Sequence, residues 1–262
     1  GRFLTMGDFL EARYDRSVRG LVGVVLWAGT LLILAGQLMA MAWALSAIAG
    51  LPKLWGCLLS GLVLVTYVGG GGLLASAWVN LLQLTVLLLG FGLALPFAWQ
   101  QAGGWPALGT AAPGFARFDG MGFSAIAGLL LTLTPSFVVS PGLAQKAYGA
   151  RSAQAARLGI VWSAVALGLF AFVPALLGMA ARVLRPGLAN PEMALPALLA
   201  EVLPPWAGAL GLAALFAAEI STADAVLFML ATSLSQDLYR SFLRPQADDA
   251  ELLRVGRRAA CG

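Results

Sequence analysis

Two hydroxyls and two carboxylates lie together in one long apolar stretch of the chain, between Trp206 and Ser235. Ala218, Ser221 and Thr222 follow the i, i+3, i+4 spacing, so on a helix they share one face. Two hydroxyls and a neighbouring backbone carbonyl are hard oxygen ligands, which suit a small hard cation. Ser and Thr also allow helices to pack closely, and for the pair taken alone this second interpretation is the simpler one.

Glu219 and Asp224 are the only carboxylates well inside an apolar stretch of this chain. An ionised carboxylate at membrane depth is costly, so it must be paired, protonated or next to water. Such residues are candidates for function. Their closeness to the hydroxyl pair favours a cation or proton site over simple helix packing.

A second group of hydroxyls surrounds two prolines in the stretch from Leu129 to Gly142. Pro135 and Pro141 each remove a backbone donor, and together they predict a broken helix. Transporters use such breaks to expose backbone groups that bind substrate or ions. The alternative is a structural kink whose hydroxyls bond back to the helix. The hydroxyls concerned belong to Thr132, Thr134, Ser136 and Ser140.

The composition excludes an ordinary soluble domain, because 60% of the 262 residues are hydrophobic and 11% are charged. Soluble domains carry about 25% charged residues, and a helix crosses a bilayer with roughly 20 apolar residues. The sequence predicts an all-α, polytopic membrane protein with a single transmembrane domain. Six spans are expected near residues 20–49, 54–68, 73–99, 121–140, 158–181 and 206–235.

The connections between these spans also carry expectations. Gly69–Gly72, between the second and third spans, is interpreted as a packing or turn element. Residues 100–120 are predicted to form a loop that holds a short surface helix. Residues 182–205, which contain five prolines, are predicted to form a second loop.

The distribution of positive charge supports an even number of spans. With six spans, 12 of the 16 Lys and Arg residues fall on one side of the membrane and 4 on the other. The positive-inside rule then places both ends of the chain in the cytoplasm. The expected location is the cell (inner) membrane, with the lipid bilayer as a partner.

Several function classes are disfavoured by the residues present. The chain has no histidine, and Cys57 and Cys261 form no metal or redox motif. No nucleophile–base pair is visible, so an enzyme is not expected, and no organic cofactor is indicated. The net charge of +4 forms no basic face, so nucleic acid is not an expected partner. The charged, loop-like start and the Arg-rich end suggest a fragment that is incomplete at both ends.

Four segments carry a family resemblance, in order along the chain. Their sequences are TMGDFLEARY (Thr5–Tyr14), YVGGGGLLASAWVNLLQ (Tyr67–Gln83), PGLAQKAYGAR (Pro141–Arg151) and AAEISTADA (Ala217–Ala225), the last followed by SQDLY. The second resembles the motif GGLxAxxWTDxxQ, and the fourth resembles AAxxSTxxS with a terminal DIY. With these segments at matching spacing, the sequence resembles the sodium:solute symporter family.

The resemblance implies an inverted-repeat transporter of the LeuT type, of which the six spans would be core helices three to eight. It implies a sodium site made by the Ala218 carbonyl and the Ser221 and Thr222 hydroxyls, together with carbonyls of the first core helix. It also implies that the fourth span lines the substrate cavity. Ser136 and Phe137 are the leading substrate-binding candidates there, and Thr134 and Ser140 are lesser ones.

The chain departs from the family pattern at two places. Where the family often has Thr-Asp, this chain has Val79-Asn80, and Asp224 stands where some members have a hydroxyl. We hypothesise that the carboxylate has moved from one helix to the other, so that Asn80 and Asp224 face each other in a second cation or proton site. Glu219 replaces a residue that is usually apolar in the family, and three interpretations are open for it: a member of that cation or proton site, a contact with the substrate, or a pairing with a helix absent from this chain.

The resemblance implies sodium-coupled symport of a small organic solute by alternating access, with Na⁺ as the coupling ion. Two alternatives stay open. A proton-coupled transporter of the same fold is suggested by Glu219 and Asp224, and the Ser221-Thr222 pair weighs against it. A membrane sensor module derived from the same fold would need a signalling domain beyond Gly262.

Overall fold

A computed structural model describes residues 6–111, 120–138 and 150–261, without the side chains of residues 6, 67–77, 110, 111, 138, 249, 257, 260 and 261. In these ranges the chain forms helices and no strand, as expected for an all-α protein. Four of the described helical segments are long and apolar enough to cross a membrane: Arg16–Ala49, Trp78–Gln101, Ala153–Leu184 and Pro205–Leu243. Lys53–Thr66 and Phe123–Phe137 are shorter apolar helices, so the count of six spans stays a prediction.

Helix α1 (Met6–Arg13) leads into α2 (Arg16–Ala49), which corresponds to the first predicted span. The Asp15 carboxylate caps α2 by accepting hydrogen bonds from the backbone N–H groups of Ser17 (2.7 Å) and Val18 (2.9 Å). Gly50 ends the helix with a φ of 65°, a left-handed conformation that glycine adopts without steric cost. Local chemistry therefore sets both ends of this helix.

Helix α3 (Lys53–Gln101) runs for 49 residues through both the second and the third predicted spans. Its length is about 74 Å at 1.5 Å per residue, far more than one crossing requires. Of the two interpretations of Gly69–Gly72, the turn is wrong because the backbone stays helical there, and the packing role stays a prediction. Glycine lowers helix propensity by about 1 kcal/mol per residue, a cost that does not interrupt this helix between its two apolar halves.

A short helix, α4 (Gly104–Ala111), follows α3 and confirms the helix predicted between residues 100 and 120. Leu108 is buried, so α4 packs onto the protein. Helix α5 (Phe123–Val138) contains Pro135 and stays helical beyond it. The break predicted at Pro135 is therefore not present within α5, while Pro141 lies outside the described residues.

The fifth predicted span is divided in two, into α6 (Ala153–Phe170) and α7 (Phe172–Leu184), which meet at Ala171. Pro174, in the first turn of α7, explains the interruption because its nitrogen cannot donate to the preceding turn. No residue of α6 is buried, whereas Leu177, Ala180 and Ala181 of α7 are fully buried.

The second predicted loop is largely helical. It contains a 3₁₀ turn (Pro191–Met193), α8 (Ala194–Ala197) and a π-helical turn (Leu198–Val202). Leu198 and Leu199 are buried in this turn. The expectation of a plain loop is wrong because these apolar side chains pack into the core despite the nearby prolines.

Helix α9 (Pro205–Thr232) is the centre of the packed structure and continues into a π-helical segment (Ser233–Leu243). Helix α10 (Asp249–Cys261) follows. Gly90 of α3 allows close approach, because a Cβ there would lie 2.5 Å from both the Ala214 Cβ and the Leu210 carbonyl oxygen. Small residues at helix contacts are the usual means of packing in membranes, where apolar side chains gain little by leaving lipid.

Candidate functional site

The hydroxyl pair predicted to bind a cation lies at the middle of α9. The Thr222 hydroxyl donates a hydrogen bond to the Ala218 carbonyl oxygen at 2.9 Å. The Ser221 hydroxyl donates to Asn80 Oδ1 of α3 at 2.6 Å. The structure therefore brings Ala218, Ser221 and Thr222 onto adjacent parts of one helix face, and it adds an amide oxygen from a second helix.

Ser221 and Thr222 have different surroundings although they are neighbours in the chain. Ser221 is half-buried against α3, whereas Thr222 is exposed. Consecutive residues on a helix point about 100° apart, which accounts for the difference. An ion held by both hydroxyls would thus contact α9 at the edge of its packed face, with one side still open to further ligands.

Asp224 lies one turn beyond Ser221 and is 3% exposed, so it is buried among the packed helices. The position of Asn80 beside Ser221 places the α3 amide and the α9 carboxylate in neighbouring turns. Glu219 is only half-buried and precedes Ser221 by two residues. Two residues correspond to a rotation of roughly 200°, so Glu219 lies on the side of α9 away from Asn80. The structure groups Asn80 with Ser221 and separates Glu219 from them.

Three of the four predicted substrate-binding residues, Thr134, Ser136 and Phe137, lie on α5, which is exposed along most of its length. The Ser136 hydroxyl donates to the Leu133 carbonyl oxygen at 2.8 Å, and the Thr132 hydroxyl donates to the Gly128 carbonyl oxygen at 2.8 Å. These bonds match the interpretation in which hydroxyls near a proline bond back to their own helix. Thr134 and Phe137 are exposed on the same helix, and Ser140 lies outside the described residues.

One cluster that the sequence did not predict surrounds Arg19, which is 7% exposed at the start of α2. Its Nη2 lies 2.9 Å from Asp8 and 3.2 Å from buried Asp237. Its Nη1 lies 2.5 Å from Glu11, and Nη2 also donates to the Gln236 carbonyl oxygen. Asp237 additionally accepts from the Ser233 hydroxyl. The acidic residues just before Arg19 are the only sequence signal that could have indicated this cluster.

The Arg19 cluster joins three elements at one end of the helix bundle. Helix α1, the start of α2 and the π-helical segment meet there, and the Arg16 guanidinium lies 5.8 Å from the centre of the Phe242 ring. The start of the described chain and the π-helical segment therefore lie at the same end of the bundle. Within the described residues, no group of three or more His, Cys, Asp or Glu side chains could hold a metal ion.

Comparison with known proteins finds sodium-coupled transporters among the relatives of this chain. The sodium/glucose cotransporter of Vibrio parahaemolyticus is 27% identical over 98% of this chain and 54% of its own length. The sodium/pantothenate symporter of Escherichia coli (strain K12) is 28% identical, over 92% of this chain and 52% of its own length. The human sodium/iodide cotransporter is 27% identical, over 92% and 41%. The chain spans about half the length of the curated relatives it matches.

A solved structure has the same fold. It is the substrate-bound, outward-open state of a Na⁺-coupled sialic acid symporter, with a TM-score of 0.84 and 18% identity. The match covers 98% of this chain and 58% of that one, and it confirms the expected LeuT-type fold class. The family model of the sodium:solute symporter family matches residues 2–260. The chain therefore belongs to the sodium:solute symporter family.

Proposed function

We propose that this chain is part of a sodium-coupled symporter that moves a small organic solute by alternating access. The observation that carries the proposal is the set of oxygens on α9: the Ala218 carbonyl and the Ser221 and Thr222 hydroxyls. They lie beside Glu219 and Asp224 in a helix whose other residues are mainly apolar. Sodium is a hard cation that prefers such oxygen ligands.

Coupling requires that the ion bind one conformation more tightly than the other, since an ion with equal affinity for both shifts nothing. The hydrogen bond from the Ser221 hydroxyl to Asn80 of α3 supports such a difference in affinity, because it makes the site geometry depend on how the two helices are packed. The membrane potential adds about 2.3 kcal/mol per charge per 100 mV to inward movement of the ion.

The proposed location is the cell (inner) membrane, with both ends of the chain cytoplasmic. The meeting of the start of α2 with the π-helical segment supports an arrangement in which these two regions share one side. The excess of Lys and Arg in the segments assigned to that side supports the cytoplasmic assignment.

The first test compares the melting temperature of the purified full-length protein in sodium and in potassium at equal ionic strength. A ligand that binds only the folded state stabilises it by about 2.7 kcal/mol at 100 times its Kd. Sodium is expected to raise the melting temperature of the unmodified protein. Thr222→Val should abolish most of that rise.

Thr232→Val is a matched control for Thr222→Val. The Thr232 hydroxyl also donates to the carbonyl four residues earlier, that of Phe228, at 2.8 Å. The control variant should keep the full sodium response. Equal melting temperatures in sodium and potassium for the unmodified protein would refute sodium binding.

A second cation site at Asn80 and Asp224 is part of the proposal. It is supported by the contact of Asn80 with Ser221 and by the burial of Asp224 one turn away. Exchanging the residues, with Asn80→Asp and Asp224→Ser together, should preserve cation dependence better than either single change. If the double variant does no better than the singles, the two positions do not share a site.

Proton coupling is the second candidate function, and the half-buried position of Glu219 within α9 favours it. It predicts that Glu219→Gln flattens the pH dependence of solute uptake, because the amide cannot take up or release a proton. The profile should be measured in sodium-free and sodium-containing buffers. An unchanged profile in the variant removes Glu219 as the proton site.

A further inference from the structure

Gln83 of α3 has a buried side-chain oxygen, Oε1, that accepts no hydrogen bond from any described residue. A buried polar atom without a partner costs about 1–3 kcal/mol, and more where no water can reach it. Nearly all such atoms in folded proteins have a partner, so each exception needs an explanation. A ligand of the protein is one such explanation.

The helix register places Gln83 opposite the cation-site oxygens of α9. Asn80 contacts Ser221, and Gly90 faces Ala214, so α3 and α9 run antiparallel along this stretch. Gln83 stands three residues after Asn80 and seven before Gly90, on the same face of α3. Counting along the two helices puts it level with the turn of α9 that contains Ala218.

No cationic side chain of the surrounding helices is available to Gln83 at this depth. The stretches 20–49, 78–101 and 205–232 contain no Lys or Arg. The seam carries four oxygens that could bind a cation, namely the Asn80 and Gln83 amide oxygens, the Ser221 hydroxyl and the Ala218 carbonyl, and its two amides and one hydroxyl are also donors. The Ser221 hydroxyl donates to Asn80 and leaves the Gln83 oxygen without a hydrogen-bond donor, and hard oxygens such as these suit an alkali cation.

The geometry points to Gln83 Oε1 as an additional ligand of the coupling cation, contributed by α3 to the site that α9 carries. This inference rests on the proposed function and deepens it. With Gln83, the cation would be held between two helices rather than by one. The affinity for the cation would then depend on the distance between α3 and α9 at that level.

The test is a sodium titration of the melting temperature in the full-length protein, with potassium keeping the ionic strength constant. Gln83→Met removes the oxygen and keeps the length of the side chain. We expect the half-saturating sodium concentration to rise about tenfold, which corresponds to about 1.4 kcal/mol. In the absence of sodium this variant should melt at the same or a higher temperature, because the orphan acceptor is gone.

Thr85→Val is the control, because it also exchanges a polar for an apolar side chain on α3. The Thr85 hydroxyl is exposed and donates to the Leu81 carbonyl oxygen at 3.0 Å, so this variant should titrate like the unmodified protein. An unchanged sodium midpoint in Gln83→Met overturns the inference and leaves the proposed function intact. An equal rise of the midpoint in both variants overturns it as well.

A second variant tests the role of the Gln83 oxygen if Gln83→Met does not fold. Gln83→Glu retains an oxygen at this position and adds negative charge, which should lower the half-saturating sodium concentration at pH 8. A midpoint equal to that of the unmodified protein would again overturn the inference. If the unmodified protein shows no sodium response at all, the proposed function fails first and this inference fails with it.

Discussion

Two regions of the molecule differ in how tightly they are held. The packed region consists of α2, α3, α7 and α9, and it contains every buried residue of the two hydrophobic clusters apart from Leu198, Leu199, Leu203 and Ala102 next to it. The exposed pair consists of α5 and α6. No residue of α6 is buried, and α5 is exposed along most of its length.

The candidate sites divide between these two regions. The proposed cation ligands lie on α9, where the Ser221 hydroxyl is bonded to Asn80 of the neighbouring helix α3 and the exposed Thr222 hydroxyl is bonded within α9. The proposed substrate-binding residues lie on α5, where the hydroxyls are bonded only to their own helix. A small ion needs fixed ligands at short distances, whereas a solute needs room, so the difference in packing fits the difference in role.

The largest effect is expected from breaking the Arg19 cluster, which ties α1 and α2 to the π-helical segment. Removing one member of a buried ion pair costs roughly 3–5 kcal/mol, because the other charge is left without compensation. Arg19→Met should therefore lower the melting temperature strongly or prevent recovery of folded protein. The control is Arg13→Met, since Arg13 is exposed. Similar stability of both variants would show that this cluster does not hold the packed region together.

Truncation of leucines measures the difference between the two regions directly. Leu177→Ala in α7 removes a side chain that is 0% exposed and should cost roughly 2–5 kcal/mol. Leu131→Ala in α5 removes one that is 76% exposed and should cost about 0.5 kcal/mol or less. Thermal unfolding of both variants in the same detergent makes the comparison. Equal losses would mean that α5 is packed as tightly as α7.

The α3–α9 contact can be tested with two glycines on one helix. Gly90→Ala introduces a methyl group 2.5 Å from the Leu210 carbonyl oxygen and the Ala214 Cβ, which should cost about 1–3 kcal/mol. Gly92→Ala meets no atom within 4 Å and should be neutral or slightly stabilising, because alanine favours the helix. The melting temperatures of the two variants, each compared with that of the unmodified protein, test this contact. A stable Gly90→Ala protein would argue against close packing of these helices.

Local patterns in the sequence predicted those features that depend on neighbours along the chain. The spacing of Ala218 and Thr222 predicted one face of a helix, and their hydrogen bond is a contact between residues four apart. The contact of Ser221 with Asn80 joins residues 141 positions apart, and that of Arg19 with Asp237 joins residues 218 apart. Family resemblance suggested the facing of Asn80 and α9, whereas the acidic residues just before Arg19 did not identify Asp237 as its distant partner.

The wrong predictions concern residues whose local conformational preference is overridden by the structure around them. Glycines and prolines predicted a turn at Gly69–Gly72 and a break at Pro135, yet both positions are helical. A spanning helix has few alternatives, because an unpaired backbone group at membrane depth costs more than an unfavourable residue does. The buried turn Leu198–Val202 shows the opposite error. Prolines on both sides of it predicted a loop, although its apolar side chains pack as a helical turn.

The smallest effect on stability is expected at Ser136. This position also tests most directly whether α5 binds the solute while α9 binds the cation. Ser136→Ala removes an exposed hydroxyl that bonds only to the Leu133 carbonyl, so stability should change by about 0.5 kcal/mol or less. If this hydroxyl contacts the solute, the apparent affinity for uptake should fall about tenfold, which corresponds to about 1.4 kcal/mol. Uptake should be measured with a labelled organic solute for which the unmodified protein shows sodium-dependent uptake.

Thr132→Val is the matched control for Ser136→Ala, because the Thr132 hydroxyl is also exposed on α5 and also donates to a carbonyl of its own helix at 2.8 Å. It lies one turn earlier and should leave the affinity for uptake unchanged. Equal losses of affinity in the two variants would indicate a general effect on α5 rather than a contact at Ser136. Unchanged affinity in both would place the solute away from this face of α5, and the roles of the packed region and the exposed pair would have to be assigned anew.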